Sequence, residues 1–297
     1  MKKLIVNADD FGSHELVNFA VNDAFNNGIC KSASIMAGGN AFDDAVKIAL
    51  SNKNLGVGIH FTLVKGTPVL PPSKIKSLVD SSGNFCEDFS VFVRRYLTGR
   101  INFNEVKAEL SAQVYKIQNS GIKISHVDSH QHLHVLPKIF EIVSDLAIKL
   151  NVKAMRIPHA NPFAINGPLP RRTGTHCLSA CGEGNRFNGG GVISKIALNF
   201  LSSRARHKAK KLNFAVPDKF FGIVAGGSIN EKWLCSVIEN IETTAEIMTH
   251  VGSDNKILQA SLNWDHDFEA ELNALKSDEV KDKIKINNVE IINFKEI

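Results

Sequence analysis

Short apolar runs alternate with longer helical patterns along the chain of 297 residues. Runs of about four to eight apolar residues predict buried strands, and strands that alternate with helices favour a parallel sheet built from βαβ units. We therefore predict an α/β fold, a distorted (β/α) barrel of the TIM type, with an open doubly wound sheet as the runner-up. The runs that predict strands are LIVNADD, SASIMAGG, LGVGIHFTL, IKISHVDSH, VKAMRIPHA, KFFGIVAGG, AEIMTHVG and VEIINFKEI.

Helical patterns occupy the stretches between these runs, and one last helix is expected before VEIINFKEI. No internal repeat or linker divides the sequence, so we predict a single domain over residues 1–297. Prolines and glycines interrupt the pattern around 162–211, which predicts an irregular insertion there. The other predicted helices are Glu15–Asn27, Ala41–Leu50, Phe89–Leu97, Glu105–Asn119, Pro137–Leu150 and Glu231–Glu239.

The bulk composition excludes some classes of protein. The chain is 43% hydrophobic, which is enough for a large core, and its net charge of +5 does not indicate a nucleic-acid partner. Five scattered cysteines are typical of a reduced protein, and Cys177 and Cys181 lack a second pair with which to bind zinc. The apolar run Leu4–Val6 is too short for a signal peptide, so we expect a cytoplasmic location.

Polar residues follow the predicted strands at the points where the strands end. In a parallel barrel the carboxyl ends of all strands open on one face, and active sites are built there from several strands. We therefore expect these scattered side chains to converge in space. Asp9 and Asp10 close the first strand, His60 the third, His130 the fourth, Arg156 and His159 the fifth, and His250 the seventh.

The stretch HVDSHQHLH, residues 126–134, concentrates four of the 11 histidines. Alternate side chains of a strand point the same way, so His126, Asp128 and His130 share a face. His132 and His134 would continue that face if the chain stays extended. Two histidines and a carboxylate make a metal site with open positions for water and substrate. The alternative is a run of histidines satisfied by backbone carbonyls, but the cluster with its neighbouring carboxylates favours a metal.

The adjacent carboxylates of Asp9 and Asp10 can divide the work at such a site. One can bind the metal while the other accepts a proton from water. A charge-assisted hydrogen bond from Arg156 would hold Asp9 ionised, although a plain surface arginine is the alternative. The acidic pair could also be the ordinary acidic start of a helix, since a helical pattern follows closely.

Several motifs together resemble the YdjC-like carbohydrate deacetylase family from Met1 almost to the C-terminus. They are NADDFG, GIHFTL, HVDSHQHLHVLP, MRIP and EIMTHVG, in this order. The resemblance implies a distorted barrel, one divalent metal ion (Mg²⁺ or Zn²⁺) and hydrolysis of acetyl groups on amino sugars.

Residue by residue, the resemblance implies that Asp10, His60 and His130 bind the metal, that Asp9 is the base and that His250 is the acid. Asp128, His132 and His134 would orient the ligand imidazoles or serve packing, and His126 and His159 would be structural.

Residues 63–85 and 216–229 resemble the hopanoid-biosynthesis-associated members of this family. That resemblance implies an N-acetylglucosaminyl hopanoid glycolipid as the substrate. Two residues depart from the pattern: His14 stands where a leucine–serine pair is more usual, and Val251 replaces a proline after the last histidine. Neither is a proposed ligand, but Val251 bears on the pose of His250.

The irregular region ends in a basic helical pattern. Its stripe of Ile193, Ile196, Ala197, Phe200 and Leu201 is typical of a helix that flanks a barrel. The alternative is a peripheral contact of residues 193–211 with the inner membrane, which would deliver a lipid-linked sugar. A homodimer is a further expectation. The cations that crowd the end of this helix are Arg204, Arg206, Lys208, Lys210 and Lys211.

Three other functions compete with glycolipid deacetylation. A chito-oligosaccharide-type deacetylase would act on soluble sugars. A phosphoesterase would use similar histidines and carboxylates, usually with two or three metals, but the sequence offers one three-ligand set and no dense cationic cradle for phosphate. A non-catalytic carbohydrate-binding barrel would not need the intact pair Asp9 and Asp10. The identity of the metal stays open, because Zn²⁺, Mg²⁺ and Co²⁺ all accept such ligands.

Overall fold

Parallel strands curl around a common axis in the computed structural model, which describes residues 2–159 and 190–297, the last stretch without the side chains of 190–196. Within these residues, eight strands belong to one sheet. The strands are β1 (Lys2–Phe11), β2 (Ser32–Ile35), β3 (Gly56–Phe61), β4 (Ile124–Ser129), β5 (Ala154–Met155), β6 (Lys219–Phe221), β7 (Thr244–Thr249) and β8 (Val289–Ile292).

The strand order decides between the two predicted architectures. It runs β5-β4-β3-β2-β1-β7-β6, with β8 paired to the first half of β1, and every strand pair is parallel. Strands that follow one another in the chain therefore lie side by side in the sheet, from β1 to β5 on one side and from β6 to β7 on the other. A doubly wound sheet, in contrast, reverses its strand order at a switch point. A bridge between Ala154 and Ala215 joins β5 to the chain just before β6. The fold is thus a single α/β domain with a distorted barrel, as predicted.

Helices surround the sheet, and their bounds agree with the predicted ones to within a few residues up to β7. Beyond β7 the sequence predicts one helix, and the structure has three. Asp254, Asp267 and Ser277 each accept a hydrogen bond from a backbone N–H of the helix that follows, and these caps divide the stretch. The helices are α1 (Glu15–Asn27), α2 (Phe42–Ser51), α3 (Phe89–Leu97), α4 (Phe103–Asn119), α5 (Pro137–Lys149), α6 (Gly190–Lys211), α7 (Glu231–Glu239), α8 (Asn255–Leu262), α9 (Phe268–Lys276) and α10 (Asp278–Ile286).

The strands are buried along most of their length, which explains why they appear in the sequence as apolar runs. In β1 every residue from Leu4 to Phe11 is buried, and β2, β3 and nearly all of β4 are buried as well. Helices cover the outer face of the sheet, so neither face of a strand meets water. The polar residues of these strands are therefore buried too, and they must find partners inside the barrel.

The basic helix α6 packs differently from the predicted stripe. Among its described side chains, Ser202, Ala205 and Ala209 are buried, and Leu198 and Leu201 are partly buried against the core. Ala197 is exposed, and 61% of Phe200 is accessible to solvent. The predicted stripe is therefore wrong at these two residues, because the helix is rotated about its axis relative to that stripe.

Part of the predicted insertion lies outside the described residues. Residues 160–189, which include Cys177 and Cys181, are not described, and neither are the side chains of Ile193 and Ile196. None of the helices in the described ranges combines the length and the apolar character that a segment crossing a bilayer needs.

The two departures from the family pattern have local structural roles. His14 is the N-cap of α1, where its Nδ1 accepts the backbone N–H of Leu16 at 3.1 Å. Val251 follows His250 just after the end of β7 and is fully buried. His14 therefore serves the start of a helix, and Val251 serves the core.

Candidate metal centre and active site

A distortion at the end of β1 brings two consecutive aspartates into one site. Neighbouring residues of a regular strand point to opposite faces. Here the register of β1 against β2 shifts between Ala8 and Phe11, and Asp10 has a φ of 60°. A left-handed residue costs free energy unless its surroundings hold it in place. The bulge therefore lets both Asp9 and Asp10 reach His60.

Asp10, His60 and His130 form a buried cluster with one potential ligand atom each. The Oδ1 atom of Asp10 lies 3.3 Å from His60 Nε2 and 2.9 Å from His130 Nδ1. Burial by itself raises the pKa of Asp10, but His130 and His60 outweigh it and hold that pKa well below its usual range. The structure thus brings together the three residues predicted to bind the metal.

The donor set fits a divalent cation. Atoms that each lie about 2.1 Å from one cation are about 3.0–3.4 Å apart in octahedral or tetrahedral coordination, close to the distances found here. His60 Nδ1 donates to Asp128 Oδ1 at 2.8 Å, so Nε2 faces the carboxylate of Asp10. Burial by itself lowers the pKa of His60, but Asp128, Asp10 and Asp9 outweigh it and raise that pKa to about 10. A proton therefore lies between Nε2 and Asp10 at neutral pH, in the place that a cation would take.

Asp128 fixes the orientation of His60 from the barrel interior. Its second oxygen accepts a hydrogen bond from Ser34 Oγ at 2.7 Å, and Asn7 Nδ2 donates to the same Ser34 Oγ at 2.9 Å. A carboxylate behind a ligand histidine sets its tautomer and raises its basicity. Asp128 is therefore placed to do for His60 what the sequence suggested.

Arg156 is fully buried and binds three carboxylates at once. Its Nη1 and Nη2 donate to the two oxygens of Asp9 at 2.6 and 2.7 Å, and Nη1 lies 2.8 Å from Asp128 Oδ2. Its Nε donates to Glu246 Oε1 at 2.6 Å. The alternative of a surface arginine is therefore excluded. This fork of hydrogen bonds holds Asp9 in one orientation.

Glu246 on β7 belongs to this network, although the sequence analysis did not single it out. Burial raises the pKa of Glu246 to about 8, while Arg156 opposes the shift. Its Oε2 atom has no hydrogen-bond partner among the described residues. The signal in the sequence was one acidic residue in the middle of the otherwise apolar strand AEIMT.

The histidines after β4 do not continue its extended line. The chain turns into a 3₁₀ helix from His130 to Val135, and Gln131 and His132 have left-handed φ values of 50° and 58°. His134 therefore folds back, donates from Nε2 to the carbonyl of Arg156 at 2.8 Å and accepts from Ser129 Oγ through Nδ1. His132 packs edge-on against the ring of Phe220.

His126 and His159, predicted to be structural, contact other parts of the fold. His126 lies 3.1 Å from Ser34 Oγ through Nε2 and stacks on Phe294, with ring centroids 3.8 Å apart. Burial lowers the pKa of His126 to about 3, so the ring is neutral. His159 lies 3.3 Å from Ser203 Oγ of α6.

His250 lies next to the cluster but does not belong to it. Its ring meets Trp264 edge-on at 5.5 Å, and Trp264 in turn stacks on His130 with the two planes 9° apart. Burial lowers the pKa of His250, and the carboxylates of Asp10 and Asp9 oppose that shift. Its Nδ1 atom is buried without a hydrogen-bond partner among the described residues. Neutral His250 can thus take up a proton beside the site and then pass it on.

Glu271 fixes the backbone on which His250 is mounted. This fully buried carboxylate of α9 accepts the N–H of His250 at 2.6 Å through one oxygen. The other oxygen accepts the N–H groups of Gly227 and Ile229 at 2.5 and 3.3 Å. The carboxylate therefore ties the loop after β6 to the end of β7.

Glu271→Gln is expected to destabilise the protein by about 1–3 kcal/mol, because the amide nitrogen would oppose a backbone N–H donor in a buried site. Urea unfolding measures this change in the free energy of unfolding. Glu279→Gln is the matched control, since Glu279 is exposed on α10. Equal midpoints for the two variants would show that the three hydrogen bonds contribute nothing to stability.

A cavity of about 370 Å³ opens beside Asp10 and His130. Lys65, Glu87 and Trp264 also line it. Cavities of this size bind small molecules. The arrangement therefore combines a potential metal site, a carboxylate held by an arginine and adjoining space for a ligand.

Comparison with known proteins places the chain in a family. The family model described as "YdjC-like protein" matches residues 3–285, so the chain belongs to the YdjC-like family. A carbohydrate deacetylase of Clostridium beijerinckii is 29% identical over 299 residues, which cover 99% of this chain and 100% of the relative. A carbohydrate deacetylase of Brevibacillus brevis is 35% identical over 187 residues, or 63% of this chain and 70% of the relative.

Among solved structures, a protein of Enterococcus faecalis named for cellobiose-phosphate cleavage has a similar fold. The TM-score is 0.75 with 23% identity, and the match covers 99% of this chain and 98% of that one. At this identity the likeness supports the fold and no more. It agrees with the distorted barrel described above.

Proposed function

We propose that this protein is a metal-dependent hydrolase that removes the acetyl group from an N-acetylated amino sugar. The observation that carries the proposal is the buried cluster of Asp10, His60 and His130 beside an aspartate, Asp9, whose two oxygens are held by Arg156. The relatives named carbohydrate deacetylases supply the class of substrate.

The chemistry follows from the stability of the amide bond. A divalent cation bound by Asp10, His60 and His130 would polarise the acetyl carbonyl and make water more acidic. Asp9 accepts the proton of the attacking water, and its carboxylate keeps lone pairs for that proton beside its bonds to Arg156. His250, once protonated from solvent, gives that proton to the nitrogen as the C–N bond breaks, and the proton on Asp9 returns to solvent. The products are acetate and the free amino sugar.

The position of Arg156 argues against the alternative of a phosphoesterase that uses two metal ions. A second group of potential ligands consists of Asp9, His60 and Asp128. The guanidinium of Arg156 already lies between the two carboxylates of this group, 2.6 Å from Asp9 and 2.8 Å from Asp128. Arg156 thus supplies positive charge where a second cation would bind, which favours a site with one metal.

The finer identity of the substrate is also a proposal. The resemblance of residues 63–85 and 216–229 to hopanoid-associated members favours an N-acetylglucosaminyl hopanoid glycolipid, and a soluble chito-oligosaccharide is the alternative. A cytoplasmic location, a contact with the inner membrane and a homodimer belong to the same set of predictions. A non-catalytic sugar-binding barrel is disfavoured, because sugar binding alone would not select a carboxylate held by Arg156 beside a potential metal site.

The function is tested by measuring acetate release from N-acetylated sugars and glycolipids, together with metal analysis of the purified protein. We expect acetate release and one divalent metal per chain. Release of phosphate from sugar phosphates, without acetate from any substrate, would replace the proposal with a phosphoesterase.

The contact with a membrane would involve the exposed side of α6. Two of its five terminal cations bind residues outside the helix: Arg206 donates to the carbonyl of Pro217, and Lys208 lies 3.5 Å from Glu141. Arg204, Lys210 and Lys211 are exposed, as is Phe200. These three cations would each contribute about 1 kcal/mol of attraction to an anionic surface.

Changing Arg204, Lys210 and Lys211 together to glutamine is expected to weaken binding to anionic liposomes by roughly a hundredfold, from three such contributions. Turnover of a membrane-embedded glycolipid should fall, while turnover of a soluble N-acetylglucosamine analogue should stay the same. The parallel change of Lys47, Lys53 and Lys107, exposed lysines elsewhere, controls for net charge. Unaltered liposome binding would leave α6 as a purely structural flank of the barrel.

A further inference from the structure

The cavity beside the candidate metal centre has room for a single sugar residue. Its volume of about 370 Å³ lies at the small end of the roughly 300–1,000 Å³ that is typical of ligand cavities. This size suits one hexosamine ring with its acetamido group better than a long oligosaccharide. Asp10, His130, Lys65 and Glu87 are all among the residues of its lining.

The ammonium group of Lys65 is held in this cavity by an aromatic ring. Its Nζ lies 4.7 Å from the ring centroid of Trp264, within the range of a cation–π contact. No carboxylate oxygen of residues 2–159 or 190–297 comes within 4.0 Å of this nitrogen. No ion pair therefore occupies the N–H donors of the ammonium group, and the contact with Trp264 limits where that group can move.

The backbone around Lys65 is also fixed. Lys65 has a left-handed φ of 57°, and its N–H donates to the carbonyl of Cys86 at 3.0 Å. A few residues further on, the buried carboxylate of Glu109 accepts the N–H groups of Val69 and Leu70, both at 2.9 Å. These hydrogen bonds hold the backbone of Lys65 in place at the cavity.

The charges around the cavity favour an uncharged ligand. Among the described residues of the lining, Lys65 is the one lysine or arginine, and the carboxylates of Glu87 and Asp10 act on its ammonium. A cation bound by Asp10 would offset the charge of Asp10, so Glu87 is the carboxylate that stays free to balance Lys65. A phosphorylated or acidic sugar would meet Glu87 as well as the lysine. Hydroxyl groups, in contrast, can accept from the ammonium and donate to a carboxylate.

We propose that Lys65 and Glu87 bind the hydroxyl groups of one uncharged N-acetylhexosamine residue and so select it over its phosphorylated form. Lys65 donates to a hydroxyl oxygen, Glu87 accepts from a hydroxyl, and the acetamido group extends to Asp10 and His130. This inference rests on the proposed function, since it gives that function a specific sugar. Both residues act on binding and stay outside the bond-breaking steps.

The test compares Lys65→Gln and Glu87→Gln with Lys107→Gln, an exposed lysine of α4 that serves as the control. Acetate release is measured on N-acetylglucosamine and on its 6-phosphate. We expect Lys65→Gln to raise the KM for the uncharged sugar roughly tenfold, as for the loss of one charge-assisted hydrogen bond, with kcat within about twofold. The wild type should prefer the uncharged sugar.

Binding is measured separately by calorimetry in an Asp9→Asn background, so that it does not depend on turnover. Sugar binding that weakens with Lys65→Gln supports the inference even if the wild type releases no acetate, and only the proposed function then fails. An unchanged affinity and KM overturn it. Loss confined to the 6-phosphate overturns it as well, because Lys65 would then recognise an anion. A fall in kcat at constant KM would likewise assign Lys65 another role.

Discussion

His130→Ala loses its bound metal and its acetate release together, by more than about a hundredfold in activity, if His130 is one of three ligands. The imidazole is buried, with Nδ1 2.9 Å from Asp10 Oδ1. Metal content is measured by elemental analysis of the purified variant, and activity by acetate release. His60→Ala is expected to behave in the same way.

The control for this experiment is His207→Ala, because His207 is an exposed histidine of α6. It should keep both metal and activity. Thermal unfolding of the apoproteins shows whether either buried variant fails to fold, and a folded variant that has lost its metal supports the ligand role. Full metal occupancy with normal turnover in His130→Ala or His60→Ala would show that Asp10, His60 and His130 are not the metal ligands.

Asp9→Asn is expected to keep the metal and to lose acetate release by about a hundredfold or more. An amide cannot accept the proton of water, yet Asp9 is not in the proposed ligand set. In the unchanged protein Arg156 donates to both oxygens of Asp9. The amide of the variant turns an N–H donor towards Arg156 instead, so some loss of stability should accompany the change. Metal analysis, thermal unfolding and acetate release separate these effects.

Asp10→Asn is the matched variant for that experiment, because it changes the adjacent residue in the same way. It should lose metal affinity, since an amide oxygen is a weaker ligand than a carboxylate. If Asp9→Asn loses the metal and Asp10→Asn retains it, the two aspartates have the opposite roles.

Much of the barrel could be predicted, because strand periodicity and parallel topology depend on local sequence. His60 and His130 were found for the same reason, as strand ends share one face. Asp9 and Asp10 were noticed for their chemistry, yet simple alternation would place them on opposite faces. The bulge in β1 and the left-handed φ of Asp10 bring both to His60, and these features depend on tertiary packing.

Other parts of the site left little trace in the sequence. Glu271 accepts hydrogen bonds from backbone N–H groups, which every residue except proline has, so no particular side chain in the sequence could indicate its role. Trp264 and Lys65 are far apart in the chain and meet only in the folded protein. The turn after Ser129 depends on left-handed residues other than glycine, and for this reason the expected line from His130 to His134 failed.

The central claim, that a single metal held by Asp10, His60 and His130 supports deacetylation, is tested most directly by titration of the metal-free protein. Zn²⁺ or Mg²⁺ is added in steps, and acetate release from N-acetylglucosamine is followed. We predict activity that rises in proportion to bound metal and reaches its maximum at one equivalent per chain. Full activity in the metal-free protein, or a maximum reached only at two equivalents, would contradict the account.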